Sequence, residues 1–194
     1  MPHINNAAKE IEYKIVYVGP SVAGKTTNVN FVSEAVPKEL RGKVLSMETE
    51  GERTLLFDYM PLNVGTVNGF KVKVRLFTVP GQVYYEYVQS VILKKADGIV
   101  FVADSNPNRM EANEISMFNL YRMMEKERKP ILPTFPLIIQ YNKRDHPLAV
   151  SVDDLNALLN PTEFPTVEAI AKDGKNVFET LTLITKLVME SDQA

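Results

Sequence analysis

The sequence contains no cysteine, which excludes disulfide bonds, thiol catalysis and thiolate metal sites. It also lacks an excess of positive charge, since 22 lysine and arginine residues stand against 24 aspartate and glutamate residues. Nucleic-acid binding requires a strongly basic surface, so we expect no nucleic-acid partner. No apolar run approaches the roughly 20 residues that a transmembrane helix needs.

The two ends of the chain lack the patterns of secretion and lipid attachment. The opening segment MPHINNAAKEIEYK has no apolar core of the kind that a signal peptide carries. Position 2 is proline instead of glycine, and the chain ends in SDQA, so neither myristoylation nor prenylation is expected. We therefore expect a cytoplasmic protein with no direct membrane anchor, which other proteins recruit to its site in the cell.

Strand patterns of two kinds occur along the chain. Apolar runs at 14–18, 98–103 and 137–140 predict parallel strands that are covered on both faces. Residues 55–64 and 70–78 predict the two arms of a hairpin, because apolar and polar residues alternate in the second arm.

Helical patterns separate these strands. A helix is expected at about 26–35, directly after a glycine-rich loop. A second helix, between the strands at 98–103 and 137–140, has an apolar stripe. We interpret this stripe as core packing, although its methionines also fit a ligand-binding site. Its residues are Met110, Met117, Leu120 and Met124. Ser151 and Asp154 form a capping pattern before a third helix, and apolar residues at helical spacing predict a last one. These last residues are Val177, Leu181, Ile184 and Val188.

Between the first helix and the hairpin, residues 36–53 are polar and charged with no clean period, so we expect a long loop there. The chain has the length of a single domain, 1–194. Strands that alternate with helices predict a three-layer α/β fold of the P-loop type, with a mostly parallel sheet and one antiparallel hairpin strand. Ligands of such folds bind beyond the carboxyl ends of the strands.

The segment GPSVAGKT at 19–26 matches the phosphate-loop pattern GxxxxGK[ST] between a predicted strand and a predicted helix. This position favours a phosphate site over a simple glycine turn. Lys25 supplies charge to the β and γ phosphates, the Thr26 hydroxyl is a magnesium ligand, and the helix adds its positive end. The expected nucleotide contacts are Gly19, Ser21, Val22, Ala23, Gly24, Lys25, Thr26 and Thr27.

A second motif, Asn142-Lys143-Arg144-Asp145, follows an apolar strand. The Asp145 carboxylate can accept hydrogen bonds from N1–H and the exocyclic amine of guanine, which adenine cannot offer. Asn142 can bond N7 and brace the loop, while the Lys143 stem covers the ring. Alone the motif also fits a surface turn. Ala171 and Lys172 lie where a backbone amide can meet guanine O6, with an ordinary loop as the alternative.

Two further segments fit contacts with the γ-phosphate. In TVPGQ at 78–82, the Gly81 amide faces the phosphate and Gln82 orients water, although a Pro-Gly turn is the alternative. Thr54 can ligate Mg²⁺ when GTP is bound, and Arg53 can reach charge that develops on the phosphoryl group. A solvated surface arginine is the alternative for Arg53.

The segments GPSVAGKTT, TVPGQ, FVADS and QYNKRD, with the Arg53-Thr54 pair, resemble the MglA family of bacterial Ras-like GTPases. The likeness covers about 4–188. It implies GTP hydrolysis with Mg²⁺, an arginine finger at Arg53 and a catalytic glutamine at Gln82. It also implies control of cell polarity and motility through partners: a Roadblock-fold activating regulator of the MglB kind and polarity adaptors of the RomR kind, which recruit the protein to a pole.

Three positions depart from the general Ras-like pattern. Thr78 stands where an aspartate usually supports the metal, and Asp58 on the adjacent hairpin arm is a candidate substitute. Ser21 occupies a position that is often glycine, so we expect its side chain to crowd Gln82 and intrinsic turnover to be slow. Ala171 lacks the usual preceding serine.

Three functions follow as hypotheses. A regulated GTPase is favoured by Arg53 and Gln82 together. A GTP-dependent scaffold or adaptor that does not hydrolyse the nucleotide is the alternative. An ATP-using kinase or ATPase is disfavoured by Asp145. Three tyrosines after Gln82 suit either a partner surface or the core: Tyr84, Tyr85 and Tyr87.

Overall fold

Strands and helices alternate along the chain in the computed structural model, which describes residues 2–43, 45–49, 53–80, 86–127 and 130–192. For 45–49, 53–58 and Glu86 the description covers the backbone alone. The strands are β1 His3–Asn5, β2 Glu10–Val18, β3 Leu45–Thr49, β4 Arg53–Val67, β5 Phe70–Thr78, β6 Gly98–Asp104, β7 Leu137–Asn142 and β8 Thr166–Glu168. The helices are α1 Lys25–Ala35, α2 Glu86–Leu93, α3 Met110–Lys126, α4 Val152–Leu159 and α5 Val177–Ser191.

The strands form one mixed sheet in the order β3-β4-β5-β2-β6-β7-β8, with β1 paired to β2 off this path. The central pairs β2–β5, β2–β6, β6–β7 and β7–β8 are parallel. The hairpin pair β4–β5 is antiparallel and turns at Asn68 and Gly69. The predicted three-layer α/β fold is therefore confirmed. The short strands β1 and β3 add antiparallel pairs that we did not predict.

The prediction of an uninterrupted loop at 36–53 is wrong. Strand β3 lies inside this segment and pairs with β4, with Leu45 opposite Tyr59 and Thr49 opposite Arg53. Its sequence LSMET has little hydrophobic periodicity because β3 is the last strand at its edge of the sheet, where polar and charged residues are common. Arg53 and Thr54, expected at the end of the loop, instead begin β4.

The apolar core has two layers, one on each face of the sheet. Successive residues of β2 point to opposite faces, so Ile15 packs with α1 and α5 while Val16 packs with α2, α3 and α4. The α3 stripe is core, as predicted, with Met117, Leu120 and Met124 buried. The predicted apolar stripe of α5 is also buried: Val177, Leu181, Ile184 and Val188.

The carboxyl ends of five parallel strands lie along the same side of the sheet, because β5, β2, β6, β7 and β8 run in the same direction. The phosphate-loop segment follows β2, and the guanine motif begins at the end of β7. The fold therefore brings both motifs to the same edge. None of the helices that the structure describes has the length and apolarity needed to span a bilayer.

Candidate nucleotide-binding site

The phosphate-loop segment connects β2 to α1 through two glycines with positive φ angles. Gly19 has a φ of +145° and Gly24 a φ of +104°, values that residues with a side chain rarely adopt. A Cβ atom on Gly19 would collide with the Val102 carbonyl of β6, and one on Gly24 would collide with the Asn142 side chain. These glycines therefore let the loop pass directly against the ends of β6 and β7.

Lys25 begins α1 and is almost fully buried, at 6% exposed. Its ammonium group donates hydrogen bonds to the carbonyls of Gly19 at 2.9 Å and Pro20 at 2.7 Å. The charge is thus held against the start of the loop. Thr26 and Thr27 follow in the first turn of the helix, where the free amide groups and the helix dipole favour an anion.

Asn142 ties three loops together from the end of β7. Its side chain is 3% exposed and donates from Nδ2 to the Ala23 carbonyl at 2.8 Å. Its Oδ1 accepts from the backbone amide of Ala171 at 2.9 Å. The bracing contact expected of Asn142 is present in the structure, whereas its contact with a base stays a prediction.

A pocket of about 400 Å³ opens between these loops, within the range of about 300–1,000 Å³ that is typical of ligand sites. It brings together all five residues predicted for the base and part of the phosphate loop. Its lining includes Val22, Gly24, Thr27, Asn142, Lys143, Asp145, Ala171 and Lys172. The residues that we expected to surround a guanine thus line one cavity.

Two of these residues form an ion pair at the pocket. The Lys172 ammonium lies 2.5 Å from Oδ2 of Asp145. This hydrogen bond lowers the pKa of Asp145 and raises that of Lys172. The Asp145 carboxylate therefore stays ionised at neutral pH, in the state that accepts hydrogen bonds from a base. Because both groups are solvated, the pair contributes little to fold stability.

Asp104 and Arg109 join the site, and we did not predict them. Asp104 ends β6, is 1% exposed and accepts a hydrogen bond from Lys143 Nζ at 2.6 Å. Arg109 Nε lies 3.9 Å from the same carboxylate, and its Nη2 donates to the Ser21 carbonyl at 2.8 Å. These contacts link the base loop to the phosphate loop. An aspartate that ends an apolar parallel strand was the signal for this residue.

The residues expected at the γ-phosphate are the least described part of the site. Gly81 and Gln82 lie outside the described residues, as do Tyr84 and Tyr85. The backbones of Arg53 and Thr54 lie in β4, opposite Thr49 and Glu48, and their side chains fall outside the description. The same holds for the Asp58 side chain. Tyr87 is described and is 82% exposed, which fits a surface position.

Comparison with known proteins accounts for this arrangement. The model of the ADP-ribosylation factor family matches residues 3–190. The chain is also 47% identical over 189 residues to the mutual gliding-motility protein MglA of Myxococcus xanthus, across 97% of this chain and 96% of that protein. The chain belongs to the ADP-ribosylation factor family. It is a small GTPase and a homologue of MglA.

More distant members of the GTPase group match less closely. The Ras-related protein SEC4 of Saccharomyces cerevisiae is 27% identical over 125 residues, covering 64% of this chain and 55% of that protein. The ADP-ribosylation factor-related protein 1 of Bos taurus is 23% identical over 187 residues, covering 93% of this chain and 87% of that protein. The identity with MglA is therefore well above that with these two eukaryotic relatives.

Small GTPases take their nucleotide with Mg²⁺, and the described donors fit a metal that is held largely by the nucleotide. In the part of the chain that the structure describes, no three acidic, histidine or cysteine residues cluster as a metal cage. Mg²⁺ usually keeps several waters and takes further ligands from phosphates. The phosphate loop leads directly into the start of α1, whose first-turn amides favour phosphate oxygens, and this suits that arrangement. Thr26 is the second residue of α1, and its role as a hydroxyl ligand of Mg²⁺ stays a prediction.

Proposed function

We propose that this GTPase is a molecular switch that hydrolyses GTP to GDP and phosphate and controls cell polarity and gliding motility. The observation that carries the proposal is the junction made by Asn142, which unites the phosphate loop, the guanine motif and the Ala171 loop around one pocket. The identity with a gliding-motility protein supports the cellular role.

In the proposed mechanism, the residues around the Asn142 junction bind the nucleotide. Amides of the phosphate loop and the Lys25 ammonium hold the phosphates, and Asp145 selects guanine. Thr26 and Thr54 are the proposed ligands of Mg²⁺. When bound, this ion neutralises charge on the β and γ phosphates.

In the same mechanism, Arg53, Gln82 and the Gly81 amide promote hydrolysis. Phosphoryl transfer leaves little covalent chemistry to the protein, so its rate depends on the position of the water and on charge stabilisation. Gln82 orients the water and Arg53 stabilises the developing negative charge. The Gly81 amide holds the γ-phosphate, so hydrolysis releases this loop and changes the surface that partners recognise.

The proposed partners are a Roadblock-fold activating regulator of the MglB kind and polarity adaptors of the RomR kind, which recruit the protein to a cell pole. Because Arg53 lies in this chain, the regulator acts by arranging Arg53 and Gln82 and supplies no arginine of its own.

The test is single-turnover GTP hydrolysis with the regulator present. Arg53→Ala should slow hydrolysis by roughly 10³- to 10⁵-fold, with GTP affinity unchanged within a few-fold. Gln82→Leu should have a similar effect, and the double variant should be little slower than the poorer single variant, since both side chains serve one transition state.

The matched control is Lys43→Ala, which removes an exposed positive charge from the same region of the chain and should hydrolyse GTP at the normal rate. Full stimulation of Arg53→Ala would show that the finger comes from elsewhere. Absence of hydrolysis in the unmodified protein with its regulator would favour the scaffold alternative.

A further inference from the structure

Three polar side chains are fully buried beneath the phosphate loop. Asn28 of α1, Gln140 of β7 and Thr180 of α5 are each 0% exposed. Their sequence neighbours Val29 of α1 and Leu181 of α5 belong to the apolar core. Burial of an amide or hydroxyl is unfavourable unless hydrogen bonds replace those lost to water. Their bonding partners therefore indicate why they are there.

The three side chains bond to one another. Asn28 Nδ2 donates to Gln140 Oε1 at 2.8 Å, and Gln140 Nε2 donates back to Asn28 Oδ1 at 2.9 Å. Gln140 Nε2 also donates to the Thr180 hydroxyl at 2.9 Å, which in turn donates to the Asn176 carbonyl at 2.9 Å. The reciprocal amide pair fixes the orientation of Asn28, because each amide satisfies both a donor and an acceptor of the other.

The remaining donor of Asn28 reaches the phosphate loop. Asn28 Nδ2 donates to the Gly24 carbonyl at 2.9 Å, in addition to the backbone amide of Asn28 at 3.0 Å. The peptide that joins Gly24 to Lys25 is planar, so holding its carbonyl toward Asn28 points the Lys25 amide the opposite way. Gly24, at a φ of +104°, has no side-chain constraint of its own on this peptide.

Strand β7 holds the preceding peptide as well. Asn142 lies two residues after Gln140, on the same face of the strand. It donates to the Ala23 carbonyl at 2.8 Å and thereby orients the Gly24 amide. The two side chains of β7 thus control two consecutive peptides of the loop, Asn142 directly and Gln140 through Asn28.

We propose that Asn28 and Gln140 are positioning residues for the nucleotide: they aim the Lys25 amide at the phosphates and slow nucleotide release. This inference rests on the proposal that the loop binds the phosphates of GTP and GDP. Thr180 extends the same network to α5.

The test compares Asn28→Ser with Asn28→Ala. Both changes shorten the side chain and leave Gln140 without its amide partner. A helical serine can bond the carbonyl four residues earlier, which here is Gly24, whereas alanine cannot. Dissociation of a fluorescent GDP should be about 3- to 10-fold faster in Asn28→Ala than in Asn28→Ser, since one hydrogen bond is worth about that factor. The two Tm values should agree within a few degrees.

Equal dissociation rates in the two variants would overturn the inference while leaving nucleotide binding intact. Failure of the unmodified protein to bind GDP would overturn the proposed site together with the inference. If Asn28→Ala does not fold, the double variant Asn28→Leu/Gln140→Leu replaces it, because it leaves neither amide unpaired. The Tm of this double variant should stay near that of the unmodified protein. Its GDP release should be about 3- to 10-fold faster than that of the unmodified protein. Unchanged GDP release in the double variant would show that the network serves core packing alone and has no role in nucleotide release.

Discussion

Gly24 of the phosphate loop packs directly against Asn142, the first residue of the guanine motif. Gly24→Ala forces a side chain into a φ of +104° and places its Cβ against Nδ2 of Asn142. Asn142 can yield only by breaking its bonds to the Ala23 carbonyl and the Ala171 amide. The substitution should therefore damage both halves of the site.

The expected loss of stability has two parts. A non-glycine residue in such a backbone conformation costs about 1–3 kcal/mol. Leaving buried groups unpaired when Asn142 moves costs about 1–3 kcal/mol more. The sum, about 2–6 kcal/mol, corresponds to about 2–4 °C in Tm for each kcal/mol in a chain of this size. GDP dissociation should rise roughly tenfold or more, since 1.4 kcal/mol of lost binding is tenfold.

The matched control is Gly65→Ala in β4. Gly65 has a φ of +129°, but a Cβ built there meets nothing within 4 Å. The Gly65→Ala variant should lose only the conformational part of the stability, about 1–3 kcal/mol. Its GDP dissociation should be unchanged. Thermal unfolding and release of fluorescent GDP measure both effects. Equal Tm losses in the two variants, or normal GDP release from Gly24→Ala, would refute the reasoning about Asn142.

Three further predictions concern single side chains. Asp145→Asn should lose GTP affinity and gain xanthosine triphosphate affinity in competition assays, and unchanged GTP affinity would remove Asp145 from the base site. Lys172 lowers the pKa of Asp145. The contribution of the ionised carboxylate to nucleotide binding is therefore complete above the ordinary pKa of an aspartate, and it is lost as the pH falls through the lowered pKa. GDP release should therefore be constant near neutrality and accelerate only below about pH 4; acceleration between pH 5 and 7 would contradict this. Tyr17 is fully buried, burial raises its pKa, and its hydroxyl has no hydrogen-bond partner among the described residues. Tyr17→Phe should raise stability by about 1 kcal/mol, seen as a higher Tm, whereas a lower Tm would reveal a partner.

The central strands and the two motifs were predictable from the sequence because each carries a strong local signal. Buried parallel strands are continuous apolar runs, and a functional motif directly after such a run lies at the ligand-binding edge. The pattern GxxxxGK[ST] and the Asn142–Asp145 motif both satisfied this condition. Capping of α4 was equally local, and Ser151 accepts from the Asp154 amide at 3.1 Å as expected.

Other features depend on neighbours that the local sequence does not specify. Strand β3 is held by the edge of β4, so its own residues need little hydrophobic pattern. Asp104 and Lys143 lie on different segments, and only the register of β6 against β7 brings them together. The partners of Asn28 were unpredictable for the same reason, since Gln140 and Thr180 come from distant parts of the chain.

The order of the strands in the sheet explains how the proposed site can separate nucleotide binding from contact with the γ-phosphate. The phosphate loop leaves the central strand β2, with β6 and β7 on one side and β5 and β4 on the other. On the β6–β7 side, Asn142 and Arg109 tie the base loop to the phosphate loop at two points. The contacts that we propose GDP and GTP to share therefore belong to this braced half. The proposed γ-phosphate residues, Arg53 and Gln82, belong to or follow the strands on the other side. Loss of the γ-phosphate should consequently change that side first, while the nucleotide stays bound to the braced half.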